Sequence, residues 1–319
     1  MSIEIIPYEF WMKQEVSKMF NKQYGVSEQT FSSLMDDFYD HPYQKDKCIR
    51  IAAIEKKVII GFQSFFHWPY TLNNKIFNSF QSGNSLVHPE HRGKGIFQKL
   101  LNYFDSELQK KLDVDFLIGF PVEESKNSFI RNNWKNILNL NWYIKLCNPA
   151  RILFSVNEKK INNKFSLEHV FINESARTLR LIKSPEFIHW RKSYSSTTKY
   201  FNYEYFENSN KMCFQLKLNK RKHFIKELVI GDMQCNNYDE KFIYQGIHQL
   251  NKIAFSAGIT FMSVALNKAS SDGFAKIFNK VGFKETNRNI NFIIKNFISL
   301  SELTNHECWT LYRSDIDTW

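Results

Sequence analysis

The sequence predicts an α/β chain, more narrowly α+β, made of two similar halves. Each half is expected to be a central mixed, mostly antiparallel sheet flanked by helices, with the second half degenerate. Three observations point there. Strand-like alternation fills residues 49–87 and changes at Gly95 to helical spacing. A strand–helix–strand–helix–strand series then occurs in each half, which suggests duplication. The chain, at 319 residues, is long for one folding unit and comfortable for two.

Taken in order, SEQTFSSLMDDF at 27–38 predicts a capped helix starting at Ser27 or Thr30. Ile49, Ile51 and Ala53 alternate in a first strand. Lys56-Lys57 reads as a hairpin tip and Val58 to Trp68 as a second strand. Asn73-Asn74 marks a turn, and Ile76 to Val87 a third strand ended by Pro89. Ile96, Leu100, Leu101, Phe104 and Leu108 then recur at helical spacing. Residues 115–121 form a short apolar run of buried-strand type. A helix is expected from Ser125 to Asn132, and one or two strands over 134–146. The boundary between halves falls near 148–165, giving units 1–150 and 151–319. Beyond it, strands are expected in FIKELVIGDM, ITFMSVAL and NINFIIKNF. The stretches YDEKFIYQGIHQLNKIAFSAG and SSDGFAKIFNKVGF between them read as helices.

The formal charge of +11, with a pI near 9.2, favours anionic partners. The charge is dispersed, and Lys220-Arg221-Lys222 is its longest unbroken run. No basic stripe with interleaved aromatics is present, so nucleic acid is not expected. Five scattered cysteines without a CxxC pair argue against a disulfide framework or a zinc site and fit a reducing cytosol. The N-terminus lacks the apolar core of a signal peptide, and no apolar run reaches the roughly 20 residues of a membrane span. A cytoplasmic protein without a metal is expected, possibly a homodimer.

The densest chemistry lies in HPEHRGKGIFQKLL, residues 88–101. A strand, a basic glycine turn and a helix form an anion-binding device. The first amide groups of the helix are unpaired, its dipole adds positive charge, and glycine lets the backbone approach a phosphate. The turn is neither a P-loop nor a dinucleotide fingerprint.

Leu86-Val87-His88-Pro89-Glu90-His91-Arg92-Gly93-Lys94-Gly95-Ile96-Phe97 resembles the (Q/R)xxGx(G/A) motif of the GNAT acyltransferases, in which the strand before the motif ends in V-x-P. The element order of residues 1–147 fits the same family. The resemblance implies acyl-CoA as co-substrate. Its pyrophosphate would be bound by Arg92, Gly93, Lys94, Gly95, Ile96 and Phe97, and its pantetheine arm by Leu86 and Val87. Two residues depart from the pattern. Phe97 stands at the last small-residue position. Phe129 stands where the family often has a tyrosine acid, so it keeps only a place in the cofactor site. The second half resembles the family at Gly273 to Phe283 but has no RGxG turn. It is expected to have lost CoA binding and to help form the acceptor pocket.

Two short stretches, Ser184 to Lys192 with Tyr194 and Tyr200, and Trp309 to Trp319 with Asp315 and Asp317, resemble tandem GNAT proteins of surface-polysaccharide loci. The resemblance implies transfer of an acetyl or short 3-hydroxyacyl group to a dTDP-linked amino-dideoxyhexose. Arg191 would pair with the second pyrophosphate. Trp190, Tyr194 or Tyr200 would stack on the base, although Trp190 equally fits a core aromatic. For catalysis, Gln81 and Ser85 could position the amine or a water. Glu123 or Glu124, at the acceptor entrance, could take the proton, although both also fit first-turn acids of a helix. The amide of Leu86 or Val87 could polarise the thioester carbonyl. The rival readings are another amine acceptor (polyamine, aminoglycoside or protein) and a non-catalytic CoA-binding protein.

Overall fold

The computed structural model describes residues 3–25, 27–151, 155–161, 178–193, 198–221, 224–268 and 273–318. In chain order come β1 (Glu4–Pro7), α1 (Lys13–Tyr24), α2 (Glu28–Leu34), β2 (Ile49–Glu55) and β3 (Val58–His67). The short pair β4 (Tyr70–Leu72) and β5 (Lys75–Phe77) leads to β6 (Ser79–Val87), α3 (Ile96–Tyr103), β7 (Phe116–Gly119), α4 (Glu123–Arg131) and β8 (Lys135–Leu146). The second half supplies β9 (Arg180–Leu181), α5 (Pro185–Ser193), β10 (Lys199–Glu207), β11 (Asn210–Arg221) and β12 (Ile225–Cys235). It ends with α6 (Glu240–Ala257), β13 (Phe261–Asn267), α7 (Phe274–Val281) and β14 (Lys284–Asn296).

Local chemistry sets most boundaries. The Ser27 hydroxyl accepts from the Thr30 amide and starts α2. Lys56-Lys57 and Asn73-Asn74 all have positive φ, the requirement of the tight hairpin turns they form. The expected third strand is broken at Asn78. Its side chain donates to the Leu112 and Asp113 carbonyls and its amide to Asp115, so the backbone leaves the ladder there. β4 and β5 consequently join β9 in a separate three-stranded sheet. The hairpin β10–β11 was not anticipated, although Met212, Phe214, Leu216 and Leu218 alternate in it and are buried.

The principal sheet has eleven strands in the order β1-β2-β3-β6-β7-β14-β8-β13-β12-β11-β10. Each half contributes an antiparallel set ending in one parallel pair, β6 with β7 and β12 with β13. The last strand of each half then crosses over. β14 runs between β7 and β8, and β8 pairs with β13. Ile293 and Ile294 of β14 therefore lie in cores on the two faces of the first half's sheet, while Tyr143 of β8 enters the core of the second half. After β14 the chain returns over the first half. Trp309 is buried against Tyr70, Phe116 and Phe292, and the Trp68 indole donates to the Asp315 carbonyl at 2.9 Å.

Candidate active site

The site begins with a bulge. β3 and β6 pair Phe62 with Leu86 and Ser64 with Gly83, so Asn84 and Ser85 share one partner position. Asn84 has φ +48°. The extra residue reverses the alternation of side chains. Gln81, Gly83, Ser85 and Val87 were expected on one face. Instead Leu86 joins the core that holds Phe62 and Phe66, and Val87 packs with the core behind α3 that holds Phe80. Gln63 locks the bulge. Its amide nitrogen donates to Ser82 Oγ at 3.0 Å, and its oxygen accepts from Ser85 Oγ at 2.5 Å. On the other face Asn84 donates to the Tyr39 hydroxyl at 2.6 Å, and Ser64 Oγ donates to the Gly83 carbonyl at 2.8 Å. Burial pushes the Tyr39 phenol well above its ordinary range.

Just before the bulge the parallel ladder stops. β6 and β7 pair over only four residues each, ending at Ser82 and Gly119. Beyond that point the strands part, and a cavity of about 730 Å³ opens between β6, α4 and the start of α3. Gly93 and Gly95 on its rim have φ +76° and +72°, and both face open space. Gly95 is the N-cap of α3 and offers no side chain, so the first amides of the helix are left for a ligand. Arg92 is held at the rim, donating to the Val87 carbonyl and to Gln23 Oε1.

The cavity is lined by Ser85, Leu86, Val87, Arg92, Gly93, Gly95, Ile96, Phe97 and Glu124, all anticipated from sequence. Gln23, Tyr24, Ser125, Ser128 and Arg131 line it as well and were not anticipated. The hydroxyls of Ser125 and Ser128 stand on the face of α4 beside the position of Phe129. A search of that helix for hydroxyls at neighbouring positions would have found them. Phe129 itself is buried behind the wall, edge-on to Phe97 and Trp134. Lys94 is exposed and outside the cavity lining. Glu123 also points elsewhere, accepting at 2.7 Å from the amide of Asn291 on β14. The Gln81 side chain is fully buried on the opposite side of the sheet from Ser85, beside the Asp317 carboxylate.

Apart from Glu124 in the cavity and Tyr194, the anticipated acceptor residues lie on that opposite side. The stacking role of Trp190 is not open to it. Its ring is fully buried and stacked on Phe38 and Tyr43, and its indole donates to the Phe38 carbonyl at 2.9 Å. Arg191 is buried too, donating to the backbone carbonyls of Ile316 and Asp317 at 2.7 and 2.9 Å. Tyr200 is half-buried on β10 beside Lys217 of β11, whose ammonium lies 5.8 Å from its ring centroid. Tyr194 is outside the described residues. Burial, with Arg313 and Arg191 nearby, brings Lys217 down to about 8. The sequence analysis missed both Lys217 and Arg313, because strand and tail residues so far apart in sequence meet only through tertiary structure.

Residues 11–131 match the family described as Acetyltransferase (GNAT) domain. No curated protein matches the chain. Among solved structures, a GCN5-related N-acetyltransferase from Anabaena variabilis superimposes with a TM-score of 0.67 at 9% identity, covering 92% of this chain and 73% of that one. A putative acetyltransferase from Pyrococcus horikoshii gives 0.54 at 11% identity, over 98% and 93%. Saccharomyces cerevisiae N-myristoyltransferase with bound myristoyl-CoA gives 0.53 at 11% identity, over 92% and 82%. Residues 11–131 thus match a GNAT acetyltransferase domain, and the sheet as a whole has the fold of these solved structures. No helix among the described residues is long and apolar enough to cross a membrane.

Proposed function

We propose that the protein transfers an acetyl or short 3-hydroxyacyl group from acyl-CoA to the amino group of a nucleotide-linked amino-dideoxy sugar, by direct attack in a ternary complex. The donor half of this reading rests on the open glycine turn at the rim of the 730 Å³ cavity, a volume suited to a cofactor-sized ligand. The observation that carries the acceptor half is the grouping of Arg191, Lys217 and Arg313 across the sheet from that cavity. Burial is the first cause of the lowered Lys217, and Arg313 and Arg191 add to it; Asp317 and Glu227 stand among these cations, and a bound anion would add to their charge balance. A nucleotide pyrophosphate supplies such an anion, and half-buried Tyr200 offers a ring beside it.

In this reading the splay between β6 and β7 holds the thioester. The Leu86 or Val87 amide polarises its carbonyl, and Ser85, fixed by Gln63, orients the attacking side. Proximity of the two substrates lowers much of the barrier. The test is product formation followed by chromatography with mass detection. The panel crosses acetyl-CoA and 3-hydroxybutyryl-CoA with dTDP-sugars bearing a 3- or 4-amino group, with spermidine and kanamycin as controls. An acylamido sugar nucleotide is the expected product. Turnover confined to spermidine or kanamycin overturns the acceptor assignment.

A further inference from the structure

The fold brings one carboxylate to the reaction centre from the far end of the chain. If a side chain stood on Gly83, its Cβ would lie 2.7 Å from Asp317 Oδ2 and 2.8 Å from the Phe66 ring. Gly83 is the residue at which β6 has just left its ladder with β7, and it directly precedes the bulge residue Asn84. From Gly83 to Ser85, on the cavity wall, the backbone spans at most about 7 Å. Asp317 therefore stands at the mouth of the splay on the side opposite acyl-CoA, where only the absence of a Cβ lets it approach the strand.

The tail is held there firmly. Arg191 grips the carbonyls of Ile316 and Asp317. Lys183 holds Asp315 at 2.5 Å and Asp232 at 2.6 Å, all three buried. Asp317 itself keeps partial exposure, although protein surrounds it closely. Its Oδ1 accepts from the Thr318 amide at 3.0 Å. The buried amide of Gln81 lies beside it on β6 and hydrogen-bonds its carboxylate.

We propose that Asp317 is the general base of the transfer, supplied by the C-terminal tail, with Gln81 beside it on β6 holding its carboxylate in place. This inference rests on the acyltransferase reading but not on the choice of acceptor. The amine nitrogen attacks the thioester carbon and forms the N–C bond. Its surplus proton passes to Asp317, the C–S bond breaks, and CoA leaves as the thiolate, which takes a proton from solvent. Asp317 then releases its proton to solvent. Burial raises the Asp317 carboxyl above the ordinary range, and Arg191 and Arg313 partly offset the rise. Those arginines and Tyr39 face it directly, and Lys217, brought down to about 8, stands beyond the two arginines.

The test compares wild type with Asp317→Asn and Gly83→Ala, the latter placing a methyl 2.7 Å from the carboxylate oxygen, so that the carboxylate must shift. Two rates are read: acylation of whichever amine the wild type uses, and hydrolysis of acetyl-CoA with no amine added. In the second, the same carboxylate takes a proton from water. Acetyl-CoA affinity by calorimetry and the thermal melt check that the fold and donor site persist. Asp317→Asn is expected to lower both rates by roughly a hundredfold or more at unchanged acetyl-CoA affinity. It should also remove the rise of hydrolysis with pH, and Gly83→Ala should lower kcat in the same direction. Rates within threefold of wild type in either variant overturn the proposal. If the wild type acylates no amino sugar nucleotide, the acceptor reading falls while the hydrolysis rates still decide the role of Asp317.

Discussion

Two helices of this molecule follow equivalent strands, and their first residues differ in one decisive respect. α3 begins at Gly95 with no side-chain cap. α6 begins at Asp239, whose carboxylate accepts from the Phe242 amide at 3.0 Å, followed by Glu240 paired with Lys280. An acid at a helix N-terminus satisfies the amides and the dipole from within. The first half leaves that place to a ligand; the second fills it with its own side chain. The strands before these helices show the same contrast. Both carry a bulge, at Asn84 on β6 and at Gly231 on β12. The first opens onto a cavity. Beside the second, Asp232 is clamped by Lys183, which also pairs with Asp315. Both halves have the same bulged geometry, and in the second a buried ion pair and a cap occupy what the first leaves open.

The comparison can be broken most sharply at Gly95. Gly95→Glu combines a poorly tolerated φ with an acid at the helix start, imitating α6. Acetyl-CoA affinity by calorimetry should fall by at least roughly a hundredfold, and an unchanged affinity would remove the glycine turn from the donor site. Next comes the tail that crosses both halves. Trp309→Ala empties a fully buried site and should cost about 3–5 kcal/mol in chemical denaturation, destabilising the whole molecule in a single transition. Two separated transitions would mean that the halves are independent. Lys217→Met should raise the KM for an anionic acceptor roughly tenfold, near the low end for a hydrogen bond to a charged group, and leave the KM for acetyl-CoA alone. Lys217 is charged below about 8, so acceptor KM in the wild type should climb as pH passes upward through that value, a climb that the methionine variant should lack. The smallest effect is expected at Asp239→Ala, a loss of about 1 kcal/mol in stability with no acetyl-CoA binding gained in the second half. Binding there would show that the cap alone had silenced it.

Features written in consecutive residues were legible in the sequence. The Ser27 cap, the Lys56-Lys57 and Asn73-Asn74 turns and the Arg92–Gly95 turn each need only a few neighbours to take shape, and the structure has all of them. The bulge at Asn84 was not legible, because it is defined by the register against β3, and β6 alone gives no sign of it. That single residue moved Ser85 to the face opposite Gln81. Trp190 carries the ambiguity of every large aromatic: its spacing fits a pocket or a core, and only the packing of Phe38 and Tyr43 on its two faces decides. Asp317 and Lys217 lie 100 residues apart and meet near Arg313 through the tertiary fold, beyond the reach of any motif.

The exchange of β8 and β14 has a consequence for synthesis. A nascent chain can make the glycine turn, α3 and β7 early, but the neighbour that β7 needs on its open side is β14, near residue 290. Until that strand emerges, β7 presents an unpaired edge and Ile293 is missing from the core beneath α3. The donor pocket, lined by residues between Gln23 and Arg131, is completed only after β14, more than 150 residues further along the chain, has emerged.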